Sequence, residues 1–205
     1  MALKKSRKKN TTQSQNEKRD CNQIRNELLS DDASSRRWAA RDIVNCPGAT
    51  HMLLDQLNNE EEPSVRQVIL SSLTQLGDSE AVEGLVNCLR SEDASLRNEA
   101  IEAMKQLPEE VAPIMATLLN DPDPDVRIFA VNILESLCHD DVEQWLVSVI
   151  RDDEHVNVCA TAVDLLGEVG SEISIEALTG LKDRFTEEPY IQFAADLAMK
   201  RISGD

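Results

Sequence analysis

The clearest shortage in this sequence is of aromatic side chains, which make up only 3% of its 205 residues. Long apolar runs are also missing, and none approaches the roughly 18 residues that a membrane-spanning helix needs. Histidine occurs three times, and no Ser/His/Asp arrangement has supporting context, which disfavours nucleophilic catalysis. Period-two alternation, the mark of a β-strand, is absent as well. The 41% of hydrophobic residues is enough for a core, so we expect a folded, helical, non-membrane chain.

Positive charge is scarce outside the first 19 residues. The chain has 21 Lys+Arg against 38 Asp+Glu, for a net charge of −17. Residues 1–19 carry +6, so residues 20–205 carry −23. An acidic body repels a phosphate backbone and an anionic membrane surface, so we expect no nucleic acid and no membrane as its partner. We predict that residues 1–19 are a disordered basic arm, with contact to an acidic partner or to the acidic body as the alternative.

The cysteine pattern predicts a redox compartment. The five cysteines are Cys21, Cys46, Cys88, Cys138 and Cys159, and no two are spaced as CxxC. Their number is odd, and no apolar signal segment follows the basic start of the chain. We therefore predict free thiols and a cytoplasmic location.

Internal repetition predicts the fold. A motif that reads acidic-x-x-x-Arg recurs about every 30 residues. Its four clear copies are Asp32–Arg36, Glu62–Arg66, Asp93–Arg97 and Asp123–Arg127. A fifth copy runs from Asp153 to Asn157, and a weaker sixth from Glu187 to Ile191. Small or apolar residues follow at helical spacing, and the acidic residue of each motif is a suitable N-cap for such a helix.

In each copy, a second apolar stripe follows the stripe of the first helix, so every copy is predicted to be a helical hairpin. One hairpin cannot bury its own stripe, whereas stacked hairpins can. We expect a capping helix near residues 20–30 and a repeat solenoid over residues 20–205. The repeats are expected near residues 31–60, 61–91, 92–121, 122–151 and 152–186. A terminal helix over 187–205 should close the stack with a polar outer face.

The acidic-x-x-x-Arg-x-x-Ala signature, clearest from Asp123 to Ala130, resembles HEAT repeats, most closely the short class named after phycobilisome lyases. The resemblance covers residues 31–202. It implies an all-α fold, a right-handed α-solenoid of about five HEAT-like helical hairpins with an N-terminal capping helix. It also implies that the acidic residue and the arginine link neighbouring repeats. That structural ladder would comprise Asp32, Arg36, Glu62, Arg66, Asp93, Arg97, Asp123 and Arg127.

Several enzymes share the scaffold that this resemblance implies. Deoxyhypusine hydroxylases hold a di-iron centre with His-Glu pairs, but Met52, Asp140 and Val156 follow the three histidines here. HEAT-like DNA glycosylases need a basic face, which the charge of −23 contradicts. A bilin or tetrapyrrole-protein lyase or chaperone of the phycobilisome-lyase-like class stays open as an alternative function. We expect no metal and no cofactor.

In solenoids of this class the second helices line the concave face. We predict a polar, mostly acidic surface there that docks a basic or polar segment of another protein, the alternative being an ordinary solvated face. The candidate residues are Glu80, Glu83, Asn87, Glu110, Glu143, Gln144, Ser148 and Arg151. The sequence thus predicts a non-catalytic scaffold or an assembly or regulatory accessory factor, acting as a monomer or in a hetero-complex.

The fifth repeat departs most from the pattern. Asn157 stands where the motif has arginine, and Asp164 where the other repeats have an apolar core residue. These departures predict a binding patch or a flexible joint, with divergence or a locally shifted helix as the alternative. His155 and Cys159 lie four residues apart and would share a helix face, as two ligands of a zinc site do. No further ligands are apparent, and Cys159 also fits a core position.

Overall fold

The computed structural model describes residues 20–137 and 139–204, so the predicted arm over residues 1–19 lies outside the described residues. Within those ranges the chain is helical and contains no strand. The helices are α1 (Cys21–Leu28), α2 (Ala33–Asp42), α3 (Ala49–Leu57), α4 (Pro63–Leu76), α5 (Ser79–Cys88), α6 (Ala94–Met104), α7 (Pro108–Val111), α8 (Met115–Leu118), α9 (Pro124–Leu134), α10 (Val142–Asp152), α11 (Val156–Val169), α12 (Ile175–Arg184) and α13 (Pro189–Ser203). Short 3₁₀ helices span Ile43–Asn45, Ala112–Ile114 and Glu172–Ser174. None of the helices in the described ranges is long and apolar enough to cross a membrane.

The helices stack as hairpins in two rows. The first helices of successive repeats, α2, α4, α6, α9, α11 and α13, pack on one another in chain order. The second helices, α3, α5, α7 with α8, α10 and α12, each pack against the first helix that follows, and α3 also packs on α5. This stack of helical hairpins, with α1 packed against α2 at its start, confirms the all-α solenoid that the sequence predicts.

A glycine lies where the second helices α3 and α5 pack on each other. A Cβ atom added to Gly84 of α5 would lie 2.2 Å from a methyl group of Leu54 in α3. Real Cβ atoms do not approach another carbon so closely, so a larger residue at this position would require the Leu54 side chain to move.

Each repeat begins at a residue that closes the turn before its first helix. This residue, which we call the junction residue, lies six positions before the arginine of the motif, or before Cys159 in the fifth repeat. Its side chain accepts a hydrogen bond of 2.8–3.2 Å from the backbone N–H two residues further on. The junction residues are Ser30, Glu60, Ser91, Asp121 and Asp153.

Motif arginines bind the backbone carbonyls of the junction residues. Arg36, Arg97 and Arg127 each donate to the carbonyl of their own junction residue, at 2.9, 2.7 and 2.8 Å. Two of them also reach the carboxylate of the next junction residue. Arg36 forms two bonds of 2.7 Å with Glu60, and Arg127 bonds Asp153 at 2.6 and 3.0 Å. One guanidinium therefore joins two successive repeat boundaries.

The junction carboxylates are buried and bound by arginines. The Glu60 side chain is only 1% exposed. Its hydrogen bond from Arg36 lowers its pKa despite burial. Burial raises the pKa of Asp153, but the hydrogen bonds from Arg127 and from the His155 N–H outweigh that effect and lower it. Asp121 is held in the same way by Arg90, at 3.1 and 2.5 Å. These buried acids need their arginines to stay charged.

Three of the four acidic residues of the motif make contacts other than those that the resemblance implies. Asp32, Glu62 and Asp123 each accept a hydrogen bond from a backbone N–H in the first turn of their own helix. Asp93 does the same, and it alone of the four also pairs with the preceding repeat, through Arg66 at 2.5 Å. The first N–H groups of a helix lack intrahelical partners, which explains the preference for capping. Arg36 and Arg127 bind the junction acids Glu60 and Asp153 of the next repeat boundary instead, whereas Arg66 binds the motif acid Asp93.

The two ends of the stack also differ from the sequence predictions. Cys21 and Cys46 form a disulfide, so the prediction of free thiols is wrong for this pair. It ties α1 to the segment just before α3. At the other end, the outside of α13 is only partly polar: Lys200 and Arg201 are exposed, but so are Tyr190, Phe193 and Leu197, at 53%, 66% and 37%. They lie three and four residues apart and form an apolar stripe on one helix face.

We predict that neighbouring glutamates differ sharply in their contribution to stability. Glu60→Ala should lower the free energy of unfolding by about 3 kcal/mol, because it leaves Arg36 without its buried partner. Glu62→Ala should cost about 1 kcal/mol, the value of a helix cap. Denaturant unfolding of both variants measures the difference. Equal losses, or a larger loss for Glu62→Ala, would contradict the assignment of Glu60 as the linking acid.

Reduction of the disulfide should destabilise the fold. Cys21 and Cys46 are 25 residues apart in the sequence. Closing a loop of this length stabilises the native state by about 3 kcal/mol. A reductant should therefore lower the midpoint of thermal unfolding of the wild type and leave Cys21→Ala/Cys46→Ala unchanged. Identical unfolding of the wild type with and without reductant would refute this expectation.

Candidate functional site

The predicted docking residues lie on the exposed faces of the second helices, which we call the second-helix surface. Glu80, Glu83 and Asn87 are exposed on α5, and Glu110 is exposed on α7. On α10, Gln144, Ser148 and Arg151 are exposed. The structure brings Glu83 and Glu110 together on one groove.

That groove, the α5–α8 groove, lies between α5 and the segment from α7 to α8 and has a volume of about 430 Å³. Apolar side chains form most of its lining: Val82, Val86, Ile114 and Leu118. Glu83 and Glu110 supply its charged groups, while Gly77, Ser79 and Thr117 complete it, and no lysine or arginine is among these residues. The groove therefore offers an apolar surface between two carboxylates.

Local sequence explains why a groove opens here. Gly77 ends α4 in the left-handed conformation, at φ +57°, and Asp78 then caps α5. On the opposite side of the groove, the second helix of the third repeat is not continuous. Pro113 interrupts it with a 3₁₀ turn between α7 and α8. Proline lacks the N–H that a continuous α-helix needs. Because of this break, the Ile114 side chain is only half-buried and lines the groove beside α5.

A second groove of about 470 Å³ lies between α8 and α10 and contains Ser148. Trp145, on the same groove, stacks on His139 with ring centroids 4.9 Å apart. Its charged groups include Asp121, Asp153 and Arg127, which already form the ion pairs of the junctions. These charges hold the repeats together, and the exposed acids Asp152 and Glu154 also line this groove.

Glu143 differs from the other predicted docking residues. It is half-buried, and its carboxylate accepts hydrogen bonds from the Ser171 backbone and from the hydroxyls of Ser171 and Ser174, at 2.6–3.1 Å. Burial raises its pKa, but these hydrogen bonds outweigh burial and lower it. Glu143 thus holds the turn before α12, and its carboxylate is already bound within the fold.

The fifth repeat is shifted by two residues relative to the predicted register. The N-cap of α11 is His155, where the predicted register places Asp153. Cys159 therefore occupies the arginine position, and its Sγ donates to the carbonyl of the junction residue Asp153 at 3.2 Å. Leu166 fills the core position assigned to Asp164. Asn157 and Asp164 are exposed, and the Tyr190 hydroxyl donates to Asp164 at 2.7 Å.

The shift originates before α10. Helix α10 begins 15 residues after Arg127, whereas α3 and α5 each begin 13 residues after Arg36 and Arg66. The two additional residues therefore lie in the segment between α9 and α10. The departures at Asn157 and Asp164 therefore follow from this shift in register, in agreement with the alternative of a locally shifted helix, and Cys159 is buried in the core.

A different arginine supplies the guanidinium that the fifth repeat lacks. Arg184, at the end of α12, donates to the carbonyls of Arg151 and of Asp153, the latter at 2.7 Å. Its Nη2 also lies 3.6 Å from the Cys159 Sγ. The carbonyl that a motif arginine would bind is therefore satisfied by a residue 25 positions further along the chain than Cys159.

The thiols and histidines of the described residues give little support for chemistry. Burial raises the pKa of Cys159 and of Cys88 to about 11, so both thiols are protonated at neutral pH. Within the described ranges, no three His, Cys, Asp or Glu side chains are grouped as metal ligands. The His155 Nδ1 is buried without a hydrogen-bond partner. Within the described ranges, no further metal-ligating side chain is grouped with His155 and Cys159.

Sequence reasoning missed the apolar part of the docking surface. It selects exposed polar residues of the second helices and does not include Val82, Val86 and Leu118, which line the groove. A signal was present in Pro113, which lies inside the predicted second helix of the third repeat. A proline at that position predicts a break, and a broken helix cannot bury its whole apolar stripe.

Fold and surface together define a helical-repeat solenoid. A family model described as HEAT repeats matches residues 50–117 and 111–200, which is more than half of the chain. The chain therefore belongs to the HEAT-repeat family. Its sequence similarity to a bilin biosynthesis protein agrees with the phycobilisome-lyase-like class that the sequence predicts.

Two characterised relatives share this sequence pattern. A HEAT repeat-containing taxis protein of Halobacterium salinarum is 27% identical over 143 residues, which cover 60% of this chain and 35% of that protein. The bilin biosynthesis protein PecE of Nostoc sp. is 27% identical over 148 residues, which cover 70% of this chain and 58% of PecE. The chain thus spans less than two thirds of either relative.

Among solved structures, the TOG3 domain of Drosophila melanogaster Mini spindles is similar with a TM-score of 0.55 at 15% sequence identity. The similarity covers 89% of this chain and 94% of that domain. At this level of identity it shows the helical-repeat fold alone.

The shifted register predicts the outcome of two substitutions in the fifth repeat. Arg184→Met should lower the free energy of unfolding by about 1–2 kcal/mol, because the carbonyls of Arg151 and Asp153 lose a charged donor. Asn157→Arg should not restore this loss, since Asn157 points to solvent. Chemical denaturation of the single and double variants tests both statements. Recovery of stability in the double variant would show that Asn157 does occupy the arginine position.

Proposed function

We propose that this chain is a non-catalytic protein-interaction module, acting as a scaffold or as an assembly or regulatory accessory factor. The observation that supports it best is the α5–α8 groove, which combines an apolar floor with Glu83 and Glu110 on its rim. Apolar contact supplies most of the binding free energy in such grooves, and charge supplies orientation and a faster encounter. The partner segment that fits is basic or polar, with an apolar side chain as its anchor.

The charge distribution supports the same proposal. Glu60, Asp121, Asp153 and Glu143 are used inside the stack, where arginines or hydroxyl groups bind them. The carboxylates around the α5–α8 groove are exposed instead, so their field extends into solvent. Uncompensated charge of one sign steers partners of the opposite sign over about a Debye length, roughly 8 Å at physiological salt.

A cytoplasmic location belongs to the same proposal, but the cysteine pattern supports it less than the sequence alone indicated. Cys21 and Cys46 are joined in a disulfide, and structural disulfides are uncommon in a reducing cytoplasm. Acidic steering and groove binding do not depend on the compartment. The fold therefore supports the interaction function more directly than it supports the location.

Charge reversal in the groove tests the interaction function. Glu83→Lys/Glu110→Lys should reduce capture of the partner from the native host at least tenfold, because it places lysines against a basic segment. The matched control is Glu168→Lys/Glu187→Lys, two exposed acids outside the groove that give the same change in net charge. Capture is measured by quantitative mass spectrometry with tagged full-length chains. Equal capture by wild type and groove variant would contradict the proposal.

A second candidate function is a lyase or chaperone for a bilin-bearing protein. The similarity to PecE, which covers 70% of this chain, favours it. Incubation with an open-chain tetrapyrrole followed by gel filtration distinguishes the candidates. Visible absorbance that elutes with the chain would support the bilin candidate, and colourless protein would favour the interaction module alone.

A further inference from the structure

Helix α13 has an apolar stripe on a face that is mostly polar in the earlier first helices. The stripe consists of Tyr190, Phe193 and Leu197, all exposed, and Leu197 lies nine residues after the N-cap of α13. At the same distance from their N-caps, the five earlier first helices have Arg41, Ser71, Glu102, Asn132 and Asp164. Folding does not require an apolar residue at this position, so the stripe indicates a surface that contacts another molecule.

Another hairpin stacked in the same way does not fit this surface. Asp196 lies eight residues after the N-cap, is exposed, and pairs with Lys182 of α12. The earlier first helices have a buried apolar residue at that position: Ala40, Leu70, Ile101, Val131 and Val163. A further repeat would bury the Asp196 carboxylate, which is costly for a charged group. The partner of the stripe must therefore leave Asp196 at the edge of the contact.

The charges around the stripe fit a second copy of the same chain. Residues 182–204 contain four basic and four acidic side chains, whereas residues 20–205 together carry −23. Two copies that meet at α13 therefore repel each other less than two copies that meet at an acidic face. Within α13 the charges have opposite signs at the two ends: Glu188 is the N-cap, and Lys200 and Arg201 lie in the last turn. An antiparallel pair places each acid near the basic residues of the second copy.

We propose that α13 pairs with α13 of a second copy, antiparallel about a two-fold axis near Phe193. In this arrangement Tyr190 lies opposite Leu197 of the second copy, and Phe193 packs on Phe193. Glu188 precedes Tyr190 by two residues. Lys200 follows Leu197 by three residues, so the same rotation brings these opposite charges together. The same patch serves both copies, so assembly stops at the dimer. The surface does not involve the α5–α8 groove, and the inference is therefore independent of the proposed function.

Part of the stripe is fixed before a second copy binds. The Tyr190 hydroxyl donates to the Asp164 carboxylate of α11 at 2.7 Å, which holds its ring against the preceding first helix. A side chain that is already ordered loses less conformational entropy on binding. Three apolar side chains per copy form a contact at the small end of specific interfaces, below about 1,200 Å² in total. We therefore expect a dissociation constant in the micromolar range.

Sedimentation of the full chain tests the pairing. At physiological salt, the mass should rise from 22.8 kDa towards twice that value as the concentration increases from about 1 to 200 μM. Phe193→Glu should raise the dissociation constant about thirtyfold or more, because it buries a carboxylate at the centre of the contact. The matched control Leu29→Glu changes another exposed apolar residue, at the other end of the stack, and should leave the constant unchanged.

Two outcomes of this measurement would overturn the proposal. The first is a wild-type chain that stays monomeric over the whole concentration range. The second is an equal loss of affinity in Phe193→Glu and Leu29→Glu, because it would show that one end of the stack binds the other end in a head-to-tail contact.

Disulfide crosslinking tests the antiparallel orientation. One chain carries Tyr190→Cys and another carries Leu197→Cys, and mild oxidation of their mixture is followed by non-reducing electrophoresis and peptide mapping. A disulfide needs Cα atoms within about 7 Å, so only facing positions are joined. The mixture should give about fivefold more dimer joined between positions 190 and 197 than either chain gives alone, with wild type as the control for the native cysteines. Joining mainly between two copies of position 197, or equal yields from the mixture and the single chains, would overturn the antiparallel pairing.

Discussion

The contact between a motif arginine and the junction residues is the interaction on which the stack depends. A turn between helices leaves backbone N–H and carbonyl groups without partners, and burying them unpaired is costly. The junction side chain satisfies the N–H, and the arginine satisfies the carbonyl. Because Arg36 and Arg127 also bind the next junction carboxylate, they fix the distance between repeats. The fifth repeat keeps this geometry with Arg184, although its own helix carries cysteine at that position.

The sequence predicts the fold through features that act locally. Proline after a capping acid, as at Asp123 and Pro124, and apolar residues at helical spacing are sufficient to place the hairpins. The register of the fifth repeat was mispredicted because Asp153 has the same residue type as the capping acids, whereas two additional residues before α10 make it a junction residue. The residue type alone does not distinguish a capping acid from a junction acid, because the two differ only in which arginine lies close enough to bind them.

The candidate site was predictable only in its charged part. Exposed acids on second helices follow from helical periodicity, and Glu83 and Glu110 do line the groove. Glu143 has the same periodicity, but Ser171 and Ser174, about 30 residues away, use its carboxylate within the fold. The Cys21–Cys46 disulfide likewise depends on a contact between distant segments. The separation of acids into those that bind arginines and those that face solvent is what leaves the α5–α8 groove acidic.

A double-mutant cycle tests the linking role of the junction residue most directly. Free energies of unfolding are measured for Arg127→Met, Asp153→Asn and the double variant, and in parallel for Arg127→Met with Asp123→Asn. We predict a coupling of about 1.5–3 kcal/mol between Arg127 and Asp153, and one below about 0.5 kcal/mol between Arg127 and Asp123. A coupling to Asp123 as large as that to Asp153 would contradict the account, because the capping acid would then link the repeats.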